Sequence, residues 1–382
     1  MSSPSNPSPL PTAEELVAGI QSWVQCESPS NWPQGVAAMA ELVRAEAAAA
    51  GLAAELADLG PSTGPLLHVS NRASGDTRPG ILILGHLDTV HPVGTLKDNP
   101  CRIEGDRLYG PGSYDMKGGM YLALAALSRL ARPGDTHLPV DFLMVPDEEI
   151  GSHASRAWTE KLAANAKYAL VCEPARPHTG KCVTARKGTG LLRLDVKGRP
   201  AHAGMQHEKG RSAIREMAHQ VLALEAMTDY ERGITVSVGT ISGGTATNTV
   251  PARCRCMVDF RVPDMAAAED VLRRMRNLCA VDPDVELEID VELNRPPMVR
   301  TEAAAALLAL AQRHAREAGF ELDEAPMTGG GSDANFTSAM GVPTLDGLGA
   351  DGDGAHTLNE YIVISTLQTR LKFWELLLRE LA

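Results

Sequence analysis

The chain has 382 residues, 44% hydrophobic and 22% charged, with a formal net charge of −12 at pH 7. That length exceeds one ordinary core and predicts two domains. No apolar run approaches the roughly 18 residues of a membrane span, and the acidic balance disfavours a nucleic-acid partner, which would need a basic footprint.

The opening "MSSPSNPSPLP" reads as a disordered Ser/Pro tail and lacks the basic and apolar regions of a secretory signal. Seven scattered cysteines, an odd number, indicate free thiols in a reducing compartment, so a cytoplasmic location is expected. Thr12 and Glu15 form a T-x-x-E capping box, which predicts a helix from about residue 13. A second helix is expected from Gly35 to Ala50, stopped by Gly51. Apolar strands follow near 65–70 and 80–85 ("GILILG"), then a helix opening at "KGGMYLALAALSRLA", a strand over 139–146, a helix after 154 and a strand over 167–172 ("KYALVC"). Alternation of near-continuous apolar strands with helices indicates an α/β domain with a largely parallel central sheet. Sites in such sheets lie beyond the carboxyl ends of the strands.

From about 187 the texture changes to a β-α-β-β-α-β order, which is a ferredoxin-like α+β unit: "LLRLDVKG", a helix over 210–227, "GITVSVGTI", "ARCRCMVDFRV", a helix over 265–279 and "DVELEIDVEL". Cys254 and Cys256 alternate on one strand face and read as core. After "NRPPM" the α/β texture resumes, with helices expected over 302–318 and 361–381. The small domain, 187–297, is thus inserted into a discontinuous large one, 1–186 and 298–382. Trp23, Trp32, Trp158 and Trp374 are spaced as core or surface anchors and offer no platform for stacked bases.

Acids and histidines recur where strands end: His86 and Asp88 in "LILGHLDTVHP", Asp115 in "LYGPGSYDMKGG", Glu148 and Glu149 in "MVPDEEIGS", Glu173 in "YALVCEP", and His356 in "GADGDGAHTLNE". Singly, most have a bland explanation. A histidine after a strand is a polar rim residue, and an Asp in a Gly-Pro loop is a turn former. Adjacent glutamates repel unless a cation compensates them. Together, two histidines and several carboxylates suit Zn²⁺, with one carboxylate shared in a two-metal site. If Glu148 and Glu149 lie on a strand-like segment, they point in opposite directions and have separate duties. Asp147 has no role beyond a solvated or helix-capping neighbour. His91 lines the site or stays structural, and His137, His153 and His314 read as surface or rim residues.

The ordered set "GHLDTV", "GPGSYDMKGG", "PDEEIGS", "CEP", "PAHAG", "TGGGSDA" and "GAHTLNEY" resembles the co-catalytic zinc peptidases and deacylases, from about residue 13 to the C-terminus. That family includes glutamate carboxypeptidase, acetylornithine deacetylase and succinyl-diaminopimelate desuccinylase. "GTATNTVPA", "DFRV" and "NRPP" resemble its carboxypeptidase G-type branch most. The resemblance implies two Zn²⁺ per subunit, with Co²⁺ or Mn²⁺ as substitutes. It implies His86 with Glu173 on one ion, His356 with Glu149 on the other, and Asp115 on both. Asp88 would orient His86 and Glu148 would be the general base. A cis peptide is implied after Asp115, where Met116 replaces the second Asp of many carboxypeptidase G-type members and matches the deacylases.

The resemblance also implies a homodimer through the inserted domain, with His202 reaching a neighbouring subunit's site as oxyanion stabiliser. Arg261 and Asn248 would hold the substrate's terminal carboxylate, assisted by amides around Gly330 and Gly331. The cations Arg186, Lys187, Arg261 and Arg295 suit carboxylate recognition. Arg261 alternatively pairs with Asp259 or Asp264 at a strand edge, and Arg295 with a hinge acid. A side-chain carboxylate read by Arg295 or Lys187 makes a C-terminal glutamate the first choice in a small-molecule or peptide substrate. An N-acyl-amino-acid deacylase is the alternative chemistry. A non-catalytic ligand-binding relative and a structural dimer module are the alternatives of other classes, and the second leaves the acidic strand ends unexplained.

Overall fold

The computed structural model describes residues 9–132, 134–176 and 180–382, so the first eight positions of the Ser/Pro tail lie outside the described residues. The chain divides into two compact units: residues Met1–Thr184, Arg300–Pro326 and Ser332–Ala382 form one, and Ala185–Val299 with Met327–Gly331 form the other.

The larger unit opens with α1 (Ala13–Val24), whose capping box forms in both directions: Thr12 Oγ1 accepts the Glu15 N–H and Glu15 accepts the Thr12 N–H. Helix α2 (Pro33–Ala49) begins two residues before Gly35, because proline at N1 loses no helical hydrogen bond. Then come β1 (Ala53–Ala57), β2 (Leu66–Ser70), β3 (Gly80–His86), the short α3 (Thr95–Asp98), β4 (Arg102–Glu104) and β5 (Arg107–Tyr109). After the Asp115 loop follow α4 (Gly118–Arg129), β6 (Val140–Val145), α5 (Arg156–Ala163) and β7 (Ala166–Val171).

In the smaller unit, β8 (Gly188–Lys197), α6 (Ala213–Glu225), β9 (Thr235–Gly243), β10 (Arg253–Val262), α7 (Met265–Arg276) and β11 (Glu286–Arg295) follow the β-α-β-β-α-β order. Its antiparallel sheet has the order β11-β8-β10-β9. Alternate residues of β8 and β10, Cys254 and Cys256 among them, face both helices and build a separate core. Ser212 and Asp264 cap the two helices through the N–H groups of Arg215 and Ala267.

The chain returns to the larger unit with α8 (Glu302–Ala318), α9 (Ala334–Ala339), β12 (Thr344–Leu345), β13 (Gly352–Asp353), β14 (Tyr361–Val363) and α10 (Leu367–Glu380). The central sheet runs β1-β2-β6-β3-β7-β12. From β6 to β12 it is parallel, whereas β1-β2-β6 is an antiparallel margin. Every residue of β3 and β6 is buried, as both faces of a covered parallel sheet require.

A small second sheet, β13-β14-β5-β4, joins segments about 250 residues apart in sequence. It corrects the last helix, expected from 361. Tyr361 and Ile362 pair with Tyr109 and Leu108 on β5, so tertiary pairing of aromatic and β-branched residues takes precedence there, and α10 starts at Leu367. His314 is another correction: it is 2% exposed inside α8, with Nδ1 3.2 Å from Glu317.

Candidate metal centre and anion-binding arginines

Strands β6, β3 and β7 are adjacent and parallel, so their carboxyl ends share one edge of the sheet. His86 is the last residue of β3, Glu148 and Glu149 follow β6, and Glu173 follows β7. Asp115 follows β5, and His356 lies between β13 and β14, so the small sheet brings those two loops together. Gly118 and Gly119 explain the "KGG" after Asp115. A Cβ at Gly119 would stand 2.5 Å from the Cys172 carbonyl oxygen, so only glycine lets α4 start against the segment leading to Glu173.

Asp115 stands between both histidines. Its Oδ1 is 3.2 Å from His86 Nε2 and its Oδ2 is 3.2 Å from His356 Nε2. Glu149 Oε2 is 3.3 Å from the same His356 nitrogen. One ligand atom from each of His86, Asp115 and Glu149 lies within 4.8 Å of the others, and the same holds for His86, Glu148 and Glu173. The two glutamates therefore serve different triads. His356 has a left-handed backbone, φ 64°, a conformation that a non-glycine residue rarely adopts outside constrained sites.

Electrostatics fit a cation. Burial works against protonation of His86, but Asp115, Glu149 and Asp88 outweigh it and hold its pKa well above the ordinary value. Bonds to Asp115 and Glu149 push His356 up to about 10. Burial first, then the neighbouring carboxylates, push the Glu173 carboxyl well above its usual range. Glu149 is also raised, by burial and by Asp115, and its Oε1 is buried without a hydrogen-bond partner. Clustered carboxylates, one with an orphaned oxygen, face two imidazoles. His86 Nδ1 donates to the Asp88 backbone carbonyl at 2.9 Å, which leaves Nε2 as the lone-pair nitrogen turned towards Asp115. Lone pairs of nitrogen and carboxylate oxygen facing each other require a proton or a metal ion, and this donor set suits zinc.

The structure corrects several local expectations. The reading from sequence makes the Asp88 carboxylate orient His86, yet that carboxylate lies 3.6 Å from Nδ1 and the backbone carbonyl makes the bond. β3 ends at His86, so Asp88 leaves the strand direction. Its oxygens accept the N–H groups of Glu148 and Glu149, each at 3.2 Å, and the Ser30 hydroxyl at 2.6 Å. Burial pushes the Asp88 carboxyl up to about 7. Glu148 and Glu149 belong to a 3-10 turn, not a strand-like run, and diverge through the turn. Asp147 is 2% exposed rather than solvated, and it accepts the Ala154 N–H at 2.8 Å just before α5.

The smaller unit holds the other candidates in two groups. Arg261 on β10 and Arg295 on β11 both pair with Thr189 on β8, so one rung carries an arginine on each side. Arg261 donates to Gly329 O at 3.3 Å and forms a two-bond pair with Asp259, at 2.8 and 2.7 Å, the strand-edge alternative. Arg186 donates to Gly330 O at 3.0 Å, and Lys187 to Gly233 O at 2.5 Å. A Cβ on Gly331 would sit 2.8 Å from Thr189 Cγ2 and 3.0 Å from Arg295 Cδ, so this backbone packs directly on the rung.

His202 and Asn248 form the second group, where Ala203 N donates to Asn248 O at 2.9 Å. His202 Nδ1 accepts the N–H groups of Gly204 and Met205 at 3.2 Å, which leaves Nε2–H as an exposed donor. Asn248 and Arg261 are not brought together in one chain. Asn248 precedes β10 and Arg261 is near its end, about 26 Å further at roughly 3.3 Å per residue.

Reasoning from sequence missed Glu360, which is buried behind the Asp115 loop and bound to His91. A glutamate next to a three-residue strand carries no local signal; only its place in "GAHTLNEY" pointed there.

Residues 82–380 match the description "Peptidase family M20/M25/M40". The chain is 28% identical over 363 residues to carboxypeptidase G2 of Pseudomonas sp. (strain RS-16), covering 93% of this chain and 86% of that protein. It is 28% identical over 325 residues to succinyl-diaminopimelate desuccinylase of Azoarcus sp. (strain BH72), covering 80% and 84%. A tripeptidase from Staphylococcus aureus subsp. aureus Mu50 shares the fold, with a TM-score of 0.80 at 21% identity over 97% of this chain and 100% of that one.

Proposed function

Because the chain belongs to peptidase family M20/M25/M40, a family of metal-dependent hydrolases, we propose that it cleaves the amide bond next to a C-terminal amino acid with a free carboxylate, glutamate first. The observation that carries this reading is the pair of imidazoles sharing one carboxylate, with His86 and His356 on opposite oxygens of Asp115. In this reading His86 and Glu173 would hold one zinc, His356 and Glu149 would hold a second, and Asp115 would serve both. When bound, the ions polarise the scissile carbonyl and lower the pKa of a water.

Glu148 would be the group that takes a proton from the attacking water and delivers it to the leaving amine, a transfer worth about 10²–10⁴-fold in rate. Asp88 holds the backbone of Glu148 and Glu149 in the turn, which fixes where each carboxylate begins. Arg261 and Arg295, with the backbone of Gly330 and Gly331, read the substrate's carboxylates, for which planar guanidinium forks are suited. His202 offers its Nε2–H to the charge that gathers on the carbonyl oxygen.

A homodimer completes this reading. Asn248 and Arg261 are a strand length apart, so one carboxylate held by both draws on two copies. The edge strands favour β9 for pairing. Its sequence, TVSVGTISG, carries no charge, whereas the opposite edge, β11, presents Glu286, Glu288, Asp290 and Glu292.

The runner-up, an N-acyl-amino-acid deacylase, is favoured by Met116 in "SYDMKGG". A panel of N-acyl glutamates, N-acetyl-ornithine and succinyl-diaminopimelate, each with zinc or cobalt, separates them. The reading expects the highest kcat/KM on an N-acyl glutamate; a higher value on either of the others replaces it with the deacylase.

A further inference from the structure

Glu360 lies at 1% exposure, immediately before β14, and the mechanism above does not use it. Its Oε1 accepts the backbone N–H groups of Tyr114 and Asp115, both at 2.8 Å. Its Oε2 accepts the Gly112 N–H at 2.8 Å and His91 Nε2–H at 2.7 Å. A carboxylate offers about four lone-pair sites, and these donors use them all.

We propose that Glu360 and His91 are a positioning pair that fixes the backbone of the Asp115 loop, so that Asp115 faces both His86 and His356. Three observations lead there. The segment needs an external clamp: Asp115 (φ −116°, ψ 92°) and Met116 (φ −133°, ψ 32°) are non-helical, and no strand ladder runs through them. The clamp grips the backbone at 112, 114 and 115, the stretch that sets the direction of the Asp115 side chain. It is itself anchored beside the other loop of the site, because Glu360 is four residues past His356 and β14 is tied to β5 through Tyr361 and Tyr109. One side chain thus couples the position of Asp115 to the loop carrying His356. His91, on the segment after β3, draws the His86 region into the same arrangement.

This inference rests on the reading of Asp115 as the shared metal ligand. Asp115 must satisfy two ligand positions at once, so a small change in its direction affects both. Outer-shell partners of this kind typically alter metal affinity about 10–100-fold when replaced.

The test is a titration of the chelator-stripped, full-length protein with Zn²⁺ against a competing indicator, alongside the visible spectrum of the Co²⁺-loaded form. Glu360→Gln keeps the side-chain shape but turns an NH₂ towards donors. It is expected to remain folded by circular dichroism, to bind zinc about 10–100-fold more weakly and to shift the cobalt spectrum. His91→Phe, which removes the fourth donor, is expected to weaken binding in the same direction, and His91→Gln, whose amide can still donate, to recover it. A folded Glu360→Gln protein with wild-type affinity and spectrum overturns the proposal. If that variant does not fold, wild-type binding by His91→Phe overturns it. Undiminished zinc binding by Asp115→Ala removes the underlying metal reading instead, which a failure of the Glu360 variant alone does not.

Discussion

Asp88 places a carboxyl group in a fully buried position, and hydrogen-bond direction explains why it is there. Its carboxylate accepts from the consecutive N–H groups of Glu148 and Glu149, while its own carbonyl, independent of side-chain identity, sets the tautomer of His86. Asp88→Asn keeps the carbonyl and takes one acceptor from the turn. A buried N–H left without an acceptor costs about 1–3 kcal/mol. The variant is expected to lose stability by about that amount and to turn over more slowly. Denaturant unfolding and steady-state kinetics on the same preparation check this, and wild-type values in both would contradict the role. Glu149 and Glu148 divide along the same lines: the first has an orphaned oxygen beside two histidines, and the second joins His86 and Glu173.

Strand ends are where the elements and the chemistry coincide, and the sequence shows this unevenly. β3 and β6 are legible as unbroken apolar runs because both faces of a parallel sheet are covered, so the acids and histidines after them are conspicuous. The same applies to the β-α-β-β-α-β order of the smaller unit, where alternation along β10 places Cys254 and Cys256 inward. Other elements are hidden for physical reasons. β1 is Ala53–Ala57, alanine-rich and without β-branched residues, and it forms because β2 offers an antiparallel edge. β4, β5, β13 and β14 are two or three residues each, and their two local hairpins are joined by the β14–β5 pairing across some 250 positions of sequence, which no local window registers. That small sheet brings Asp115 to His356. Motif order named both residues, but their meeting, and the Glu360 clamp behind it, depends on tertiary pairing. The same limit applies to Asp88, whose residue type was legible and whose bonding partners were not.

The whole chain is a metallo-hydrolase of the M20 family, which sets aside a purely structural dimer module and a non-catalytic relative. No helix among the described residues is long and apolar enough to cross a membrane. Its two units carry different parts of the proposed chemistry: the metal-facing side chains belong to the larger, and the arginine rung and His202 to the smaller. If His202 acts on a neighbouring copy, a His202→Ala protein mixed with Glu148→Gln regains activity once subunits exchange, because one hybrid site then has both groups intact. Verified exchange without recovery would contradict a shared site. The proposal that metal ions and Glu148 act together is tested most directly by one comparison. Wild-type and Glu148→Gln proteins are stripped, reloaded with zinc, assayed for metal per chain and measured for turnover of an N-acyl glutamate. The account expects two zinc ions per chain in both proteins and turnover about 10²–10⁴-fold lower in the variant. Wild-type turnover by Glu148→Gln, or a wild-type chain that retains no divalent metal, would contradict it.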